Sequence, residues 1–178
     1  MNDSSHTTDN NRPAFRAPFQ ADMLDHWHQI RNGQRFPRKR DFRPQMFPKF
    51  LPQLAIVSVT EKSRFQDRLI GTTICEVLKL TSPDDRLIPF RDAKINQTLT
   101  AILEASTEHC EPLYFEGQFM PDDARPIPFS ALVLPFSQEG EPDSLSSLLL
   151  AFDFVRTPET TAPDTPETIT FRPVYSDR

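Results

Sequence analysis

The sequence is short of the residues that several common kinds of site require. Only 4 of its 178 residues are Gly and only 2 are Cys. So few glycines argue against a glycine-rich nucleotide-binding loop, and two cysteines cannot form the framework of a disulfide-rich secreted domain. No apolar run approaches the length of a membrane span, and the polar start lacks a leader-like segment. We therefore expect a cytoplasmic protein without a membrane partner.

Basic residues are outnumbered by acidic ones, 20 to 25, and six of the basic residues fall in one stretch. The formal net charge is −5, so we expect no general attraction to nucleic acid. A basic, Pro-rich segment nevertheless runs through residues 31–43 and contains Arg31, Arg35, Arg38, Lys39, Arg40 and Arg43. Either these side chains pair with acidic groups of the domain, or they bind an anionic nucleotide. Candidate interaction residues in the segment are Arg38 and Arg40.

The chain length suits one domain with polar tails. Composition divides it into a disordered arm (1–17), an N-terminal helix with the basic segment (18–52), a core (53–155) and a mostly disordered tail (156–178). One patch interrupts the tail and could pack on the domain or bind a partner; it comprises Ile169, Phe171, Val174 and Tyr175.

Apolar residues at helical spacing predict an amphipathic helix over 22–32, with Asp22 as its N-cap. So short a helix is marginal alone, and its apolar face must dock on the domain's own sheet or on a second copy. We expect a homodimer through this face, whose candidate contact residues are Leu24, Trp27 and Ile30.

Strand-like segments occur at 53–60, 64–70, 112–119, 126–136 and 146–155. Helices are predicted between the second and third strands, at 74–80 after a Thr73–Glu76 capping box and at 93–107 after Asp92. This order predicts an α+β fold: a five-stranded antiparallel sheet with helices on one face and an extra N-terminal helix.

The same order, two strands, helices and three strands, is similar to that of a PAS domain. Residues Trp27, Arg31, Gly33, Pro37, Arg38, Asp41 and Pro44 form the pattern W-x3-R-x-G-x3-P-R-x2-D-x2-P. Leu51-Pro52 precedes the first strand, and Gly71 closes the second. The chain thus resembles a family of short, stand-alone bacterial PAS proteins, the PAS_5 family. The resemblance implies a regulatory role and supplies neither a known cofactor nor a catalytic residue.

PAS folds hold ligands between the sheet and the middle helices. The resemblance therefore implies a candidate pocket lined by Cys75, Leu78, Phe90, Ile95, Leu99, Ile102, Phe115, Phe119, Leu132 and Leu148. These side chains either surround a small apolar ligand or fill the space as a packed core. We predict no catalytic residue and no specific cofactor. We also predict no metal site, since His26 and His28 at i, i+2 do not share a helix face.

Together these features favour a non-catalytic regulatory or sensory domain that acts through protein–protein contacts with an unidentified partner. The first alternative is a binding module for an anionic nucleotide at the basic segment. The second is a small enzyme on a cone-like α+β fold, which would need an acid–base pair deep in a cavity.

Overall fold

The computed structural model describes residues 14–60, 64–122, 124–155 and 169–174. Its helices are α1 (Pro18–Arg31), α2 (Thr72–Leu78) and α3 (Ala93–His109). Its strands are β1 (Leu54–Val59), β2 (Phe65–Ile70), β3 (Leu113–Phe119), β4 (Ile127–Gln138), β5 (Glu141–Phe154) and β6 (Thr170–Pro173). Short 3₁₀ turns at Lys39–Asp41, Pro44–Met46 and Leu51–Gln53 connect α1 to β1.

The described strands form one antiparallel sheet in the order β2-β1-β5-β4-β3-β6. The predicted α+β class and antiparallel sheet are confirmed, but the predicted number of five strands was wrong, since the described sheet has six. The sixth strand, β6, comes from the tail and pairs with β3, where Phe171 lies opposite Phe115. Ile169 and Val174 pack on the domain as well, while Tyr175 and residues 156–168 lie outside the described residues.

Each face of the sheet carries its own cluster of buried hydrophobic side chains. Helices α2 and α3 cover one face, where Val57 and Phe115 point toward Leu99. Helix α1 covers part of the other face, where Leu134 and Leu149 meet the apolar side of the helix. The predicted extra helix therefore lies across the sheet from the other two helices.

Helix α1 begins earlier than predicted because Pro18, not a residue after Asp22, occupies its first turn. Asn32 ends the helix in the left-handed conformation, with φ of 48°. The arm predicted over 1–17 also ends too late, since Phe15 packs edge-to-face on Tyr114 with ring centroids 5.0 Å apart. Residues 1–13 lie outside the described residues.

Gly71 and Asp92 fix the starts of the two middle helices, α2 and α3. A Cβ on Gly71 would lie 2.2 Å from the Pro52 carbonyl oxygen, so the end of β2 can approach the Leu51–Gln53 turn only without a side chain. Helix α2 starts directly after Gly71, and the predicted Thr73 capping box does not form. Asp92 caps α3 as predicted, accepting hydrogen bonds from the backbone N–H groups of Lys94 and Ile95.

A bulge interrupts the side-chain alternation of β2. Strict alternation along the strand would place Leu69 on one face with Phe65 and Asp67, but the pairing register with β1 shifts between Ile56 and Val57. Such a shift reverses the side-chain alternation beyond it. Leu69 therefore lies opposite Ile56 on the α1 face, and 48% of it is exposed.

Candidate functional site

The residues predicted to line a pocket under the helices form one tightly packed apolar cluster. Apart from Cys75 and Leu132, all of them belong to it, and each is nearly inaccessible to solvent. Phe119 and Phe129 stack within it at 4.3 Å between ring centroids. Among the described residues no carboxylic acid is buried, and the one buried histidine, His26, lies on α1 across the sheet, so the acid–base pair that the enzyme alternative requires is not placed at this cluster. Its composition is that of a packed core.

Two of the predicted pocket residues lie elsewhere. Leu132 was wrongly assigned, because it alternates with Ala131 and Val133 and so faces α1 on the opposite side of the sheet. Cys75 is half-buried on α2 outside the cluster. The candidate ligand space under α2 and α3 therefore keeps only the remaining residues.

The predicted interaction surface of the N-terminal helix is covered by the chain's own sheet. Trp27 is only 2% exposed, and its Nε1–H donates to the Pro135 carbonyl oxygen at 2.8 Å. Leu24 is equally buried, and Ile30 packs at the margin of the same cluster. A homodimer remains a prediction, but Trp27 and Leu24 are not available as the exposed surface on which it was based.

Helix α1 and the loop after it cover β3, β4 and β5 but leave the β1–β2 end of this face open. On β1, Ile56 and Ser58 point into the open area, and on β5 Leu149 and Ser147 lie beside them in register. The open area thus changes from apolar to hydroxyl-bearing within two residues along each strand.

At the hydroxyl-bearing end lies a cleft of about 580 Å³, which we call the basic cleft. Its lining comprises Arg38, Lys39, Arg40, Ser58, Arg68, Ser137, Gln138, Glu139, Ser146 and Ser147. The turn carrying the first three residues is fixed to the end of β4, because the Ser137 backbone N–H donates to the Pro37 carbonyl oxygen at 3.0 Å. Arg68 enters from the opposite side, on edge strand β2.

Cations outnumber carboxylates in the basic cleft. Arg38 Nε donates to Asp41 Oδ2 at 2.8 Å, and Arg40 contacts Glu139. The side chain of Lys39 has no hydrogen-bonding or ionic partner among the described residues. With Arg68 included, four cations face two carboxylates and leave an excess of two positive charges.

Arg68 is held by a hydroxyl group of the adjacent strand and not by the Asp41 carboxylate. Its Nε donates to Ser58 Oγ at 2.8 Å, because the neighbouring strand brings that hydroxyl alongside, while Asp41 is held by Arg38. The basic segment is also divided in space. Arg31 and Arg35 line a smaller cleft of about 260 Å³ beside Trp27, away from Arg38 and Arg40.

One hydroxyl in the basic cleft is buried without a partner. Ser147 is 3% exposed, and its Oγ makes no hydrogen bond within the described part of the chain. By contrast, Ser137 Oγ donates to the Pro37 carbonyl oxygen and Ser146 Oγ to the Phe136 carbonyl oxygen, each at 3.3 Å. Because buried polar groups normally find partners, Ser147 has unused hydrogen-bonding capacity.

At the apolar end lies a second cleft of about 450 Å³, which we call the apolar groove. It is lined by Pro44, Pro48, Leu51, Pro52, Leu54, Ile56, Leu69, Ile70, Gly71, Thr72 and Leu149. Two of its large side chains reach solvent, Leu51 at 39% and Leu69 at 48% exposed. The groove and the basic cleft meet along β1, where Ile56 of the groove is two residues from Ser58 of the cleft.

A comparison with protein-family models matches residues 15–150 to PAS_5, a PAS domain. The chain belongs to the PAS_5 family. A search of the curated proteins and a search of the solved structures each give no match. The match covers α1, the basic segment and the sheet as far as β5, so it includes both the basic cleft and the apolar groove.

Several residues of the pattern that runs from Trp27 to Pro44 make structural contacts. The Trp27 indole anchors α1 to β4, and the Arg31 guanidinium lies 5.5 Å from the centre of its ring. Arg38 and Asp41 close the turn that leads into the basic cleft. The pattern therefore fixes α1 and the basic turn to one face of the sheet.

Two histidines of α1 have lowered pKa values. Burial, and then the charge of Arg43, lowers the pKa of His26, which lies between the rings of Phe42 and Phe47. Burial and Arg31 likewise lower the pKa of His28.

In the described part of the chain, no three His, Cys, Asp or Glu side chains are grouped to hold a metal ion, and no helix could cross a membrane.

Proposed function

We propose that this PAS domain is a non-catalytic regulatory module that binds a partner protein at the apolar groove. PAS domains are generally non-catalytic sensory modules, which supports the regulatory class. The observation that carries the proposal is the pair of exposed leucines, Leu51 and Leu69, on either side of a groove of about 450 Å³. Grouped, exposed apolar side chains mark interaction surfaces on soluble proteins.

The proposed occupant is an extended segment of the partner in which an apolar side chain stands next to an acidic one. The apolar side chain would fill the groove, and the acidic one would reach Lys39 and Arg68 in the adjoining basic cleft. A second copy of this chain fits less well, because a two-fold contact centred here would bring two basic clefts together. Like charges facing each other oppose association.

The proposal is tested by fluorescence anisotropy with two labelled peptides of equal length, one alternating Leu and Asp and the other Leu and Lys. We expect the Leu–Asp peptide to bind more tightly. Leu69→Ser should weaken its binding about fivefold, because about 1 kcal/mol of apolar burial is lost. Met46→Ser is the matched control, since Met46 is 58% exposed but does not line the groove.

Equal binding of the two peptides, or an unchanged affinity in Leu69→Ser, would contradict the proposal. Size-exclusion chromatography with light scattering tests the alternative occupant. A dimer that Leu69→Ser converts to a monomer would assign the groove to a second copy of the chain, with a contact different from the predicted Trp27 face.

A further inference from the structure

We propose that the basic cleft binds the phosphate group of a small ligand, of which a nucleoside monophosphate is the representative class. The site lies on the α1 face, across the sheet from the apolar cluster under α2 and α3. It therefore differs in place and in chemistry from the apolar pocket predicted under the helices, and it takes up the anionic-nucleotide alternative for the basic segment with a different set of residues, Lys39, Arg68 and Ser147. It adjoins the apolar groove and shares Lys39 and Arg68 with the proposed docking surface, but the phosphate proposal does not depend on that docking.

The cations of the cleft come from two sides and are suited to phosphate. Lys39 projects from the turn after α1, and Arg68 from edge strand β2. The planar guanidinium of Arg68 uses Nε on Ser58, which leaves its terminal nitrogens to donate to phosphate oxygens. The side chain of Lys39, which has no partner among the described residues, supplies a compact charge to the same anion.

Ser147 adds a donor at the floor of the cleft. It pairs in register with Ser58, so its hydroxyl lies next to the group that positions Arg68. A buried hydroxyl without a partner is unfavourable, and a phosphate oxygen would accept its hydrogen. Charge and hydrogen-bonding capacity thus converge on the same part of the cleft.

The positions of the two carboxylates, Glu139 and Asp41, indicate which side of the cleft a phosphate would occupy. Glu139 is exposed and contacts Arg40, so its charge would repel an anion on that side. Arg38 is similarly occupied by Asp41. The phosphate is therefore assigned to the side of Lys39, Arg68 and Ser147.

The size of the cleft admits more than a phosphate ion. Its volume of about 580 Å³ is in the range of sites for small molecules. Toward β1 it meets the apolar groove at Ile56 and Leu149, which offer a surface to the flat, less polar part of a nucleotide. We therefore expect a phosphate-bearing ligand with an apolar or aromatic portion to bind more tightly than phosphate alone.

Isothermal titration calorimetry of the full chain with AMP, inorganic phosphate and adenosine tests the proposal. AMP should bind, adenosine should not, and raising the salt concentration should weaken binding. Lys39→Gln and Arg68→Gln should each weaken AMP binding about tenfold. Ser147→Ala should weaken it severalfold. The matched controls are Lys49→Gln and Arg125→Gln, both of exposed residues outside the cleft, which should bind as the wild type does.

The titrations distinguish a nucleotide-like ligand from free phosphate. Tighter binding of AMP than of inorganic phosphate supports a nucleotide-like ligand, and equal binding supports recognition of free phosphate by the same residues. The proposal is overturned if neither anion binds, if adenosine binds as well as AMP, or if Lys39→Gln and Arg68→Gln leave the affinity unchanged. Circular dichroism of each variant confirms that it is folded.

Discussion

Substitution of Trp27 by Phe tests whether α1 is an integral part of this PAS domain. The change removes the donor to the Pro135 carbonyl oxygen, which is buried and would lose its 2.8 Å hydrogen bond. Leaving such an acceptor unsatisfied costs about 1–3 kcal/mol. The smaller ring leaves space that costs about 1 kcal/mol more. We therefore expect Trp27→Phe to lower the free energy of unfolding by about 2–4 kcal/mol.

Urea unfolding followed by far-ultraviolet circular dichroism measures this loss. Because Trp27 is the only tryptophan of the chain, its fluorescence also reports on α1 directly. We expect wild-type Trp27 to be shielded from acrylamide at every protein concentration, since the chain's own sheet covers it. A stability loss below about 0.5 kcal/mol would refute the docking of α1 on the sheet, because a change of that size is typical of substitutions at exposed sites. Shielding that appears only at high concentration would show instead that a second copy covers the helix.

Three further predictions concern the framework of the domain. Gly71→Ala should lower the free energy of unfolding by about 3 kcal/mol in urea titrations, because its Cβ would overlap the Pro52 carbonyl; a loss below 1 kcal/mol would argue against that close approach. Asp92→Ala should cost about 1 kcal/mol at pH 7. Hydrogen bonds from the backbone of Asp122, Ile95 and Lys94 lower the pKa of Asp92, so this difference between variant and wild type should shrink as the pH falls below about 4; a constant difference would contradict the cap. Burial lowers the pKa of His26, so the unfolded chain takes up a proton first as the pH falls through about 6.5. Wild-type stability should therefore decrease from pH 7 to pH 5, and His26→Phe should decrease less; equal slopes would count against a buried, neutral His26.

Elements with a clear period or cap could be predicted from the sequence. Asp92 and the apolar stripe of α3 located that helix, and β-branched residues located β1. Strand β4 is buried along almost its whole length, so alternation could not reveal that Leu132 and Val133 face different helices. The apolar patch of the tail was visible in the sequence, but its strand β6 was not, because that strand has only four residues and depends on pairing with β3.

The candidate site shows the same division. The local density of basic residues pointed to Arg38 and Arg40, since they are neighbours in sequence. Arg68 and Ser147 gave no such signal, because only the strand order β2-β1-β5 brings them to the same cleft. Leu69 was missed as a groove residue because a bulge, which the sequence pattern did not show, turns it to the α1 face.

The placement of the ligand site on the α1 face is most directly tested by ¹H–¹⁵N NMR spectra of the full chain titrated with AMP. We predict that the largest amide shift changes occur at Ser58, Arg68 and Ser147, on the open end of the α1 face. Changes concentrated instead at Leu99 and Ile102, under the helices on the other face, would contradict this placement and return the ligand to the core.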